Sequence, residues 1–567
     1  MVGASQRLVR LWRKLPPPKL FATFSYKSSK EYMNNTQLQQ IVQAINKTPP
    51  KNSAALAAAV RKIAGQFNSP TPAKSALITA YQTLVKTKKI KPNPKLRKLL
   101  VKRAVRSLSG VSIITVLTKP FPCPGRCVYC PTDYRMPKSY LANEPAAQRA
   151  LRNKFSPCLM VTNRIKALEA NGHEVDKIEL IVLGGTWSFY PLSYQNWFIT
   201  QCFYAANTYG KKTKRKVKSL EAEQNFNQTA KYKIIGLTLE TRPDYVNAQE
   251  IKRLRRLGCT RVQLGVQHTD NKILELIKRD DTLEGAVRAT QMLKEVGLKV
   301  DHHYMPDLPG STPKKDLAMF KYVFSGPELQ PDQIKIYPCI VNEDAELYQW
   351  YKSGKYKPYE PKQLLNLLLA IKKIVPPYVR INRLIRDIPA ESIVAGNKIT
   401  NLRQYLKELS HQQGWSCQCL HCREVRDQAE KVQQAKLVCR TYRASAGTEH
   451  FFSFESPDQK KVYAFLRLRF NDRPQNNIFP ELKNAALVRE LHVYGQMIPV
   501  GSLDKGLNKN KRTQHRGFGS SLMLTAEELS QKNGYKKIAV ISGIGVRNYY
   551  RKLGYKLEGT YLTKKLA

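Results

Sequence analysis

The sequence predicts two successive α/β domains behind a helical, basic N-terminal region. In the middle of the chain, strand-like apolar runs alternate with amphipathic segments such as NAQEIKRLRRLG and TLEGAVRATQMLKEVG; the runs are IELIVLGG, IIGLTLE, RVQLGVQ, KVDHHYMPDLPG and QIKIYP. Repeated βα units predict a parallel sheet closed or partly closed into a barrel, with chemistry at the carboxyl ends of its strands. The C-terminal part instead has alternating strand patterns (VYAFLRLRF, AALVRELHVYG, KKIAVISG) around one glycine-rich turn.

Composition and charge indicate a polyanionic partner. The 567 residues suffice for three or four domains of about 150 residues each. Lys and Arg number 95 against 43 Asp and Glu, which gives a net charge of +52. Such an imbalance favours nucleic acid as the partner.

The positive charge is concentrated towards the N-terminus, where Glu31 is the single acidic residue before Asp133. The block KTKKIKPNPKLRKLLVKR, from Lys86 to Arg103, is interpreted as a helical basic arm that follows phosphates; a solvated charged face is the alternative. Residues 1–30 are rich in Arg and Ser, as in an organellar transit peptide. We therefore predict a cytoplasmic protein, with organellar import as the alternative.

Hydropathy and cysteine content exclude two protein classes. No apolar run approaches the ~20 residues that span a bilayer, the longest lying near Leu364 to Ile371, so no membrane segment is expected. Eleven cysteines in a chain of this length do not form a disulfide scaffold. Two tight cysteine clusters indicate metal sites in a reducing compartment.

The first cluster is the triplet Cys123, Cys127 and Cys130, spaced Cys-x3-Cys-x2-Cys in the run FPCPGRCVYCP. Iron-sulfur clusters are normally held by four cysteines, so three thiolates leave one iron of a 4Fe-4S cluster without a protein ligand. The triplet resembles that of the radical S-adenosylmethionine (SAM) enzymes, in which this iron binds SAM and an electron donor supplies the electron that cleaves it. A structural zinc site or unrelated thiols are the alternatives.

Glycine and polar residues follow two of the predicted strands. Gly184, Gly185 and Thr186 come directly after IELIVL, where small residues let a ligand approach the backbone; in radical SAM enzymes a Gly-Gly here holds the amino end of SAM. Glu240 can bind ribose hydroxyls or an ammonium group, and Arg242 a carboxylate or phosphate. An ion pair at the barrel mouth is the alternative.

Two adjacent histidines, His302 and His303, lie in the predicted strand Lys299–Tyr304. Successive side chains of a strand point to opposite faces, so at most one of them enters the barrel. No acid-base role is assigned to either.

The glycine-rich turn near the C-terminus contains Gln514, Gly517, Phe518, Gly519 and Ser520 and leads into the predicted helix SSLMLTAEELSQK. A glycine-rich loop that begins a helix presents free N–H groups and the positive end of the helix dipole to a phosphate. The pattern Gln-x-x-Gly-x-Gly between a strand and a helix resembles the pyrophosphate loop of GNAT acetyltransferases.

The second cysteine cluster is Cys417, Cys419 and Cys422 in the run CQCLHC. Three cysteines within six residues suit a tetrahedral zinc site, against the alternative of three free thiols. The spacing leaves the fourth ligand open among His411, His421 and Cys339.

The order of these parts resembles the catalytic subunit of the Elongator complex and its stand-alone bacterial and archaeal relatives, which carboxymethylate the wobble uridine of tRNA. The resemblance extends from about residue 90 to the C-terminus, through CVYCP, SYLANEP, GHEVDKIELIVLGGT, GLTLETRPDY, TRVQLGVQ, MPDLPG, KIYP, RDIPAESIVAG, TEHFFSFE, RELHVYG, HRGFG and ISGIGVRNYYRKLGY. It implies a radical SAM partial (β/α) barrel at 91–400, a zinc-binding linker at 401–432 and a GNAT acetyltransferase domain at 433–567. The basic residues before it indicate a tRNA-binding or targeting region at 1–90.

The family's roles carry over to matching positions. The resemblance implies that Lys177 contacts acetyl-CoA from the radical SAM side and that Gly517 to Ser520 bind the pyrophosphate. Tyr549 and Tyr550 fall where the fold places its catalytic or thioester-contacting tyrosine. The residues expected along the pantetheine arm are Glu490, Leu491, His492 and Val493.

The implied reaction begins with the cleavage of SAM to a 5'-deoxyadenosyl radical. This radical abstracts hydrogen from the acetyl group, the acetyl carbon adds to carbon 5 of the uridine, and hydrolysis releases CoA. The uridine must leave the anticodon stack, so aromatic platforms are expected nearby. Tyr134, Tyr140 and Trp187 are candidates, with a core position as the alternative.

The sequence also departs from the family pattern. Thr132-Asp133 replaces a Gly-Gly after CVYCP, and CIVNEDAELY after KIYP lacks a small Gly-Thr. The short gap between Cys123 and Cys127 favours a stand-alone enzyme over a subunit that needs Elongator accessory proteins. Two other functions stay open: a protein lysine acetyltransferase with a structural cluster, and a binding protein for CoA or RNA without turnover.

Overall fold

The computed structural model describes residues 33–101, 109–213, 215–426, 432–495 and 517–566. The candidate targeting segment 1–30 and the candidate CoA ligand Gln514 lie outside these residues. The chain divides into two compact units, Met1–Leu99 and Leu100–Ala567. None of the helices in the described ranges combines the length and the apolar character needed to cross a bilayer.

The first unit is helical where it is described. Asn34 begins its first helix through a capping box with Gln37, and each helix buries an apolar stripe. Asp and Glu are absent from positions 33–99, so the exposed faces are basic. The helices are α1 (Asn35–Lys47), α2 (Ser53–Gln66), α3 (Lys74–Lys86) and α4 (Pro94–Leu100).

The basic block Lys86–Arg103, predicted as a helical arm, is helical only in part over its described residues. Helix α3 ends at the start of the block, and α4 begins only at Pro94. Pro92 and Pro94 disfavour helical geometry in the residues before them, and Asn93 begins α4 by accepting a hydrogen bond from the Leu96 N–H at 3.0 Å. The arm is therefore helical only over its second half within the described residues.

The second unit contains a parallel sheet that confirms the predicted partial barrel. Every neighbouring pair of its seven strands in the described ranges is parallel, and β1 and β8 do not pair, so the barrel is open on that side. In sheet order, the strands are β1 (Ser112–Leu117), β2 (Lys177–Leu183), β3 (Lys233–Thr241), β4 (Arg261–Gln267), β5 (Lys299–Tyr304), β6 (Gln333–Ile336) and β8 (Arg380–Arg383).

Helices cover the outer face of this sheet. In β2, Ile178, Leu180 and Val182 are buried in the apolar core, whereas the alternate residues Lys177 and Glu179 face the interior of the barrel. The helices are α5 (Pro145–Arg152), α6 (Pro157–Ala170), α7 (Leu192–Thr208), α8 (Leu220–Asn227), α9 (Ala248–Arg256), α10 (Asn271–Leu276), α11 (Leu283–Glu295), α12 (Pro313–Ser325), α13 (Leu347–Lys352) and α14 (Pro361–Ile374).

A short connecting region leads to a second sheet. It contains β9 (Ala395–Gly396), which pairs antiparallel with β7 (Ile340–Val341) from the segment after β6, and then α15 (Leu402–Gln412) and α16 (Leu420–Arg423). The second sheet has the order β10-β11-β12-β13-β14-β16-β15 and is antiparallel except between β13 and β14. Its elements are β10 (Lys436–Arg443), β11 (Gly447–Glu455), β12 (Val462–Asn471), β13 (Ala486–Val493), α17 (Phe518–Lys532), β14 (Lys537–Val540), α18 (Arg547–Arg551), β15 (Lys556–Glu558) and β16 (Tyr561–Lys565).

A buried ion network joins the two sheets. The Arg489 guanidinium on β13 donates to Asp332 at 2.6 and 2.9 Å and to Glu449 at 2.7 Å. Lys294 and Arg469 also pair with Glu449, at 3.7 and 3.2 Å. Arg489 further donates to a main-chain oxygen just before β5, so the network holds β13 against the amino ends of β5 and β6.

Candidate active site

One large cavity extends through the second unit. It has a volume of about 1820 Å³, above the ~300–1,000 Å³ typical of a pocket for one small ligand. Inward-facing residues of the parallel strands line it, and β12, β13 and the start of α17 complete its wall. The cavity is therefore the interior of the partial barrel, extended towards the second sheet.

The cysteine triplet lies at the carboxyl end of the barrel, and Cys123, Cys127 and Cys130 all line the cavity. The pKa of Cys127 is lowered to about 5, first by its hydrogen bond with Cys130 and then by the charge of Arg279. Arg279 is buried and lies 3.8 Å from the Cys127 sulfur. This environment favours the thiolate, which is the form that ligates metal.

The Gly-Gly turn after β2 requires glycine. Gly184 has a φ of +145°, and a Cβ there would lie 1.7 Å from the Thr118 hydroxyl oxygen. Gly185 has a φ of +79° and lines the cavity. The next residue, Thr186, places its hydroxyl 3.8 Å from the Cys123 sulfur. The turn thus brings bare backbone to the edge of the cysteine site.

Arg242 forms an ion pair at the barrel mouth, as in the alternative prediction, but its partner is not Glu240. Glu240 accepts a hydrogen bond from Tyr140 at 3.1 Å, and burial raises its pKa. Arg242 instead pairs with Asp244 at 2.9 Å. Its Nη1 is buried without a hydrogen-bond partner, and a Cβ added to Gly125 would lie 2.6 Å from this Nη1. Both side chains line the cavity, and Arg242 keeps a donor for an anionic group.

The prediction that at most one of His302 and His303 faces the barrel interior is confirmed. His303 lines the cavity, 3.7 Å from Glu240. His302 is buried on the other face, within 3.0 Å of the Thr290 hydroxyl and 2.9 Å of the Tyr304 hydroxyl. His302 is thus a hydrogen-bonded core residue.

Lys177 lies at the opposite, amino end of the barrel. It is half-buried and lines the cavity, and burial lowers its pKa; the charge of Asp176 opposes this shift and that of Lys233 adds to it. Lys233 is its neighbour in the register of β2 and β3. The structure therefore places Lys177 inside a shared cavity, with a second cation beside it.

The predicted pantetheine-binding segment forms the second half of β13. In β13, Ala486–Val488 pair with Ile538–Val540 of β14, and the two strands separate after these residues. The segment beyond this fork keeps its pairing with β12 on the other side. The cavity is lined by all four of the predicted residues, Glu490, Leu491, His492 and Val493.

Two of these side chains are occupied by other groups. Glu490 pairs with Lys299 at 3.3 Å and with Arg467 at 3.0 Å; burial opposes its ionisation, but these two charges lower its pKa to about 2. The His492 Nε2 lies 3.0 Å from the main-chain oxygen of Ser109. The backbone of this segment is thus available at the fork, while its polar side chains are held by the protein.

The described part of the glycine-rich turn begins α17 and lines the cavity. Gly517 has a φ of +81° and precedes the helix without a side-chain cap. Gly519 is packed against Tyr549, whose hydroxyl would lie 2.7 Å from an added Cβ. Phe518 stacks on Phe454 with ring centroids 4.5 Å apart. The remaining predicted residues that line this end of the cavity are Ser520 and Tyr550.

The second cysteine cluster is formed as predicted. The sulfur atoms of Cys417, Cys419 and Cys422 all lie within 4.8 Å of one another. Thiolates around a tetrahedral zinc at ~2.3 Å would be ~3.8 Å apart, so the donor set fits zinc. Among the described residues, neither His411, His421 nor Cys339 belongs to this group.

The three aromatic candidates differ in exposure. Tyr134 is 82% exposed, whereas Trp187 is 2% exposed and belongs to the apolar core. Tyr140 is buried and donates to Glu240. Tyr134 is thus exposed but does not line the cavity, whereas the buried Tyr140 does.

Comparisons with known proteins agree with this geometry. The family model "Radical SAM superfamily" matches residues 122–322, and "Radical_SAM C-terminal domain" matches residues 331–411. The "tRNA uridine(34) acetyltransferase" of Methanocaldococcus infernus is 43% identical over 484 residues, which cover 82% of this chain and 88% of the relative. The chain belongs to the Elp3 family.

One further relative and one solved structure extend the comparison of this Elp3-family chain. "Elongator complex protein 3" of Schizosaccharomyces pombe is 37% identical over 488 residues, covering 83% of this chain and 87% of that protein. The solved structure of the archaeal Methanocaldococcus infernus Elp3 with an N-terminal deletion matches with a TM-score of 0.70 and 41% identity, over 81% of this chain and all of the other. The protein is thus an enzyme of the radical SAM superfamily, which implies a 4Fe-4S cluster and SAM.

Sequence reasoning missed several residues of this Elp3-family site. No sequence pattern indicated that Arg279 lies next to Cys127, because its position depends on contacts between distant parts of the chain. Lys335 and Gln263 line the barrel interior and share a 2.7 Å hydrogen bond; burial lowers the pKa of Lys335 to about 8. Lys335 lies within the KIYP motif, which was noted only as family resemblance.

Proposed function

We propose that the protein adds a carboxymethyl group to carbon 5 of the wobble uridine of tRNA, using SAM radical chemistry and acetyl-CoA. The observation that carries this proposal is the single cavity, which is lined both by the cysteine triplet and by the glycine-rich turn at the start of α17. Two relatives are named for uridine-34 of tRNA, which supports the substrate.

The carboxyl end of the barrel fits the cluster and SAM. Cys123, Cys127 and Cys130 would hold three irons, and the buried Arg279 would stabilise the negative charge of the ligated thiolates. The bare backbone at Gly185 and the free donor of Arg242 suit the amino-acid end of SAM. When bound, the cluster supplies the electron that cleaves SAM.

The second sheet fits acetyl-CoA in the manner of a GNAT domain. The fork between β13 and β14 leaves backbone groups for the amides of the pantetheine arm. The 15-residue helix α17 has no side-chain N-cap, so its first N–H groups are available to a pyrophosphate. Tyr549 and Tyr550 then lie near the thioester end, with Lys177 across the cavity.

The open side of the barrel and the charge of the chain suit RNA. The first unit has no acidic residue between positions 33 and 99, and the net charge is +52. A uridine that has left the anticodon stack can enter where β1 and β8 do not pair. The cysteine cluster at 417–422 is proposed as a structural zinc site that supports the connection between the sheets.

The proposed reaction balances in atoms and electrons. One hydrogen atom moves from the acetyl methyl group to the 5'-deoxyadenosyl group, and the resulting carbon forms a bond to carbon 5 of the uridine. The adduct loses the C5 proton and one electron, which offsets the electron that entered to cleave SAM. Water then cleaves the thioester and releases CoA.

Mass spectrometry of tRNA nucleosides tests the proposal. Anaerobically reconstituted protein is incubated with tRNA, SAM, a reductant and acetyl-CoA carrying two ¹³C atoms. We expect a carboxymethyluridine two mass units heavier than the unlabelled standard. Cys127→Ala should lack iron and product but still bind acetyl-CoA, since Cys127 lies at the other end of the cavity. Unmodified tRNA with wild-type protein, or normal modification by Cys127→Ala, would refute the proposal.

A further inference from the structure

We propose that acetyl-CoA enters the barrel at the amino ends of its strands and carries its acetyl group through the barrel interior to SAM at the carboxyl ends. The inference rests on the proposed function and adds a route to it. Barrel enzymes normally bind their substrates at the carboxyl ends alone, so this route uses both ends of the barrel.

Parallel strands define the two ends of the cavity. Lys177, Lys233 and Lys299 are the first residues of β2, β3 and β5, and all three line the cavity. Gly185 and Glu240, at or beyond the carboxyl ends of β2 and β3, line it too. The cavity therefore runs the length of the strands.

The second sheet closes the amino end of the barrel. Lys299 pairs with Glu490 on β13 at 3.3 Å. Gly543 is packed so closely that a Cβ would lie 1.9 Å from the main-chain oxygen of Ile235, and a Cβ on Gly545 would lie 2.7 Å from the Cβ of Lys233. The candidate acetyl-CoA site is thus attached to the amino ends of the strands, opposite the cysteine triplet.

The same cavity continues between these ends and is bordered by buried polar side chains. Residues in the middle of three strands, Ile181 on β2, Gln263 on β4 and Lys335 on β6, line the same cavity as both ends. Seven residues of β2 span ~20 Å at ~3.3 Å per residue. The narrow, flexible pantetheine arm suits such a passage, whereas a tRNA loop does not.

The entrance carries two cations without an ion-pair partner among the described residues, Lys177 and Lys233. Two neighbouring basic residues are paired, Arg261 with Glu179 at 2.5 Å and Arg380 with Glu424 at 2.8 Å. The carboxylate of Asp176 raises the pKa of Lys177 without pairing with it, so the two adjacent lysines keep a net positive charge, which favours a polyanionic ligand. Acetyl-CoA is such a ligand.

A graded block of the passage tests the route. Ile181→Ala, Ile181→Phe and Ile181→Trp place side chains of increasing volume in the middle of the barrel. The readout is the deuterium that acetyl-CoA with a trideuterated methyl group transfers to 5'-deoxyadenosine in the presence of SAM, reductant and tRNA. Leu159→Trp is the matched control, because Leu159 is 48% exposed on α6 and does not line the cavity.

We expect deuterium transfer to fall with side-chain volume and to drop about a hundredfold in Ile181→Trp, since a displacement of ~1 Å can cost that much. Iron content, SAM cleavage to unlabelled 5'-deoxyadenosine and acetyl-CoA binding should persist. If the Trp variant loses its iron, the Phe variant decides. Wild-type transfer in an iron-replete Phe or Trp variant overturns the route, whereas no transfer in wild-type protein refutes the proposed function instead.

Discussion

Replacement of Arg489 by methionine tests whether the buried ion network holds the second sheet against the barrel. Arg489 and Asp332 are both 0% exposed, and the guanidinium also binds Glu449. Methionine keeps an unbranched apolar side chain and removes both the charge and the hydrogen-bond donors of the guanidinium. In this variant, the remaining ion-pair partners of Asp332 and Glu449 are Lys294, Arg467 and Arg469, with N–O distances of 3.2 to 3.8 Å.

The expected loss of stability is large. Removal of one partner of a buried pair leaves an uncompensated charge and costs about 3–5 kcal/mol. The matched control is Arg256→Met, because Arg256 and its partner Glu221 are 70% and 69% exposed. Such a surface pair contributes ~0–1 kcal/mol.

Equilibrium urea unfolding of the anaerobic holoprotein provides the measurement. We expect a lower midpoint for Arg489→Met than for Arg256→Met, and a partial recovery in Arg489→Met/Asp332→Asn, because a neutral amide replaces the unpaired carboxylate. Equal midpoints for the two single variants would mean that the network contributes no more than a surface pair and that this reasoning is wrong.

Three further predictions follow from the site. Gly184→Ala should reduce SAM cleavage but keep iron, because its Cβ would clash with the Thr118 hydroxyl. The control Gly210→Ala should keep SAM cleavage, because Gly210 has a φ of +75° but nothing lies within 4 Å of an added Cβ. An equal loss of SAM cleavage in both variants would contradict this prediction. Cys419→Ser should remove zinc but not iron by elemental analysis, and unchanged zinc would refute the assignment. The pKa of Glu490 is about 2 in the folded protein and ~4.3 in the unfolded chain, so the stabilisation by ionised Glu490 is present above pH ~4.3 and is lost as the pH falls towards 2. Glu490→Gln should therefore flatten that part of the pH–stability profile. An unchanged profile would contradict the ion pairs of Glu490.

Local sequence patterns predicted much of the barrel. The bounds of β5 match the prediction, and β2 begins one residue earlier than predicted. These strands are signalled by short runs of adjacent residues, so their pattern is local. The cysteine triplet and the glycine-rich turn were found for the same reason.

Long-range contacts could not be predicted from the sequence. Asp332 and Arg489 are 157 positions apart, and Arg279 and Cys127 are 152 apart, so no local pattern relates them. The arrangement of the second sheet at the amino end of the barrel depends on such contacts. The basic block was predicted as a helical arm from its charge, and its prolines confine the second described helix to Pro94–Leu100.

Binding of acetyl-CoA by Lys177→Ala tests most directly whether both halves of the second unit hold the same acetyl-CoA. Loss of a charge-assisted contact should cost about 1.5–3 kcal/mol. Isothermal titration should therefore show affinity about ten- to a hundredfold weaker, with tRNA-stimulated hydrolysis reduced, iron retained and Lys272→Ala unchanged. Wild-type affinity and hydrolysis in Lys177→Ala would contradict the shared cavity as the site of the reaction.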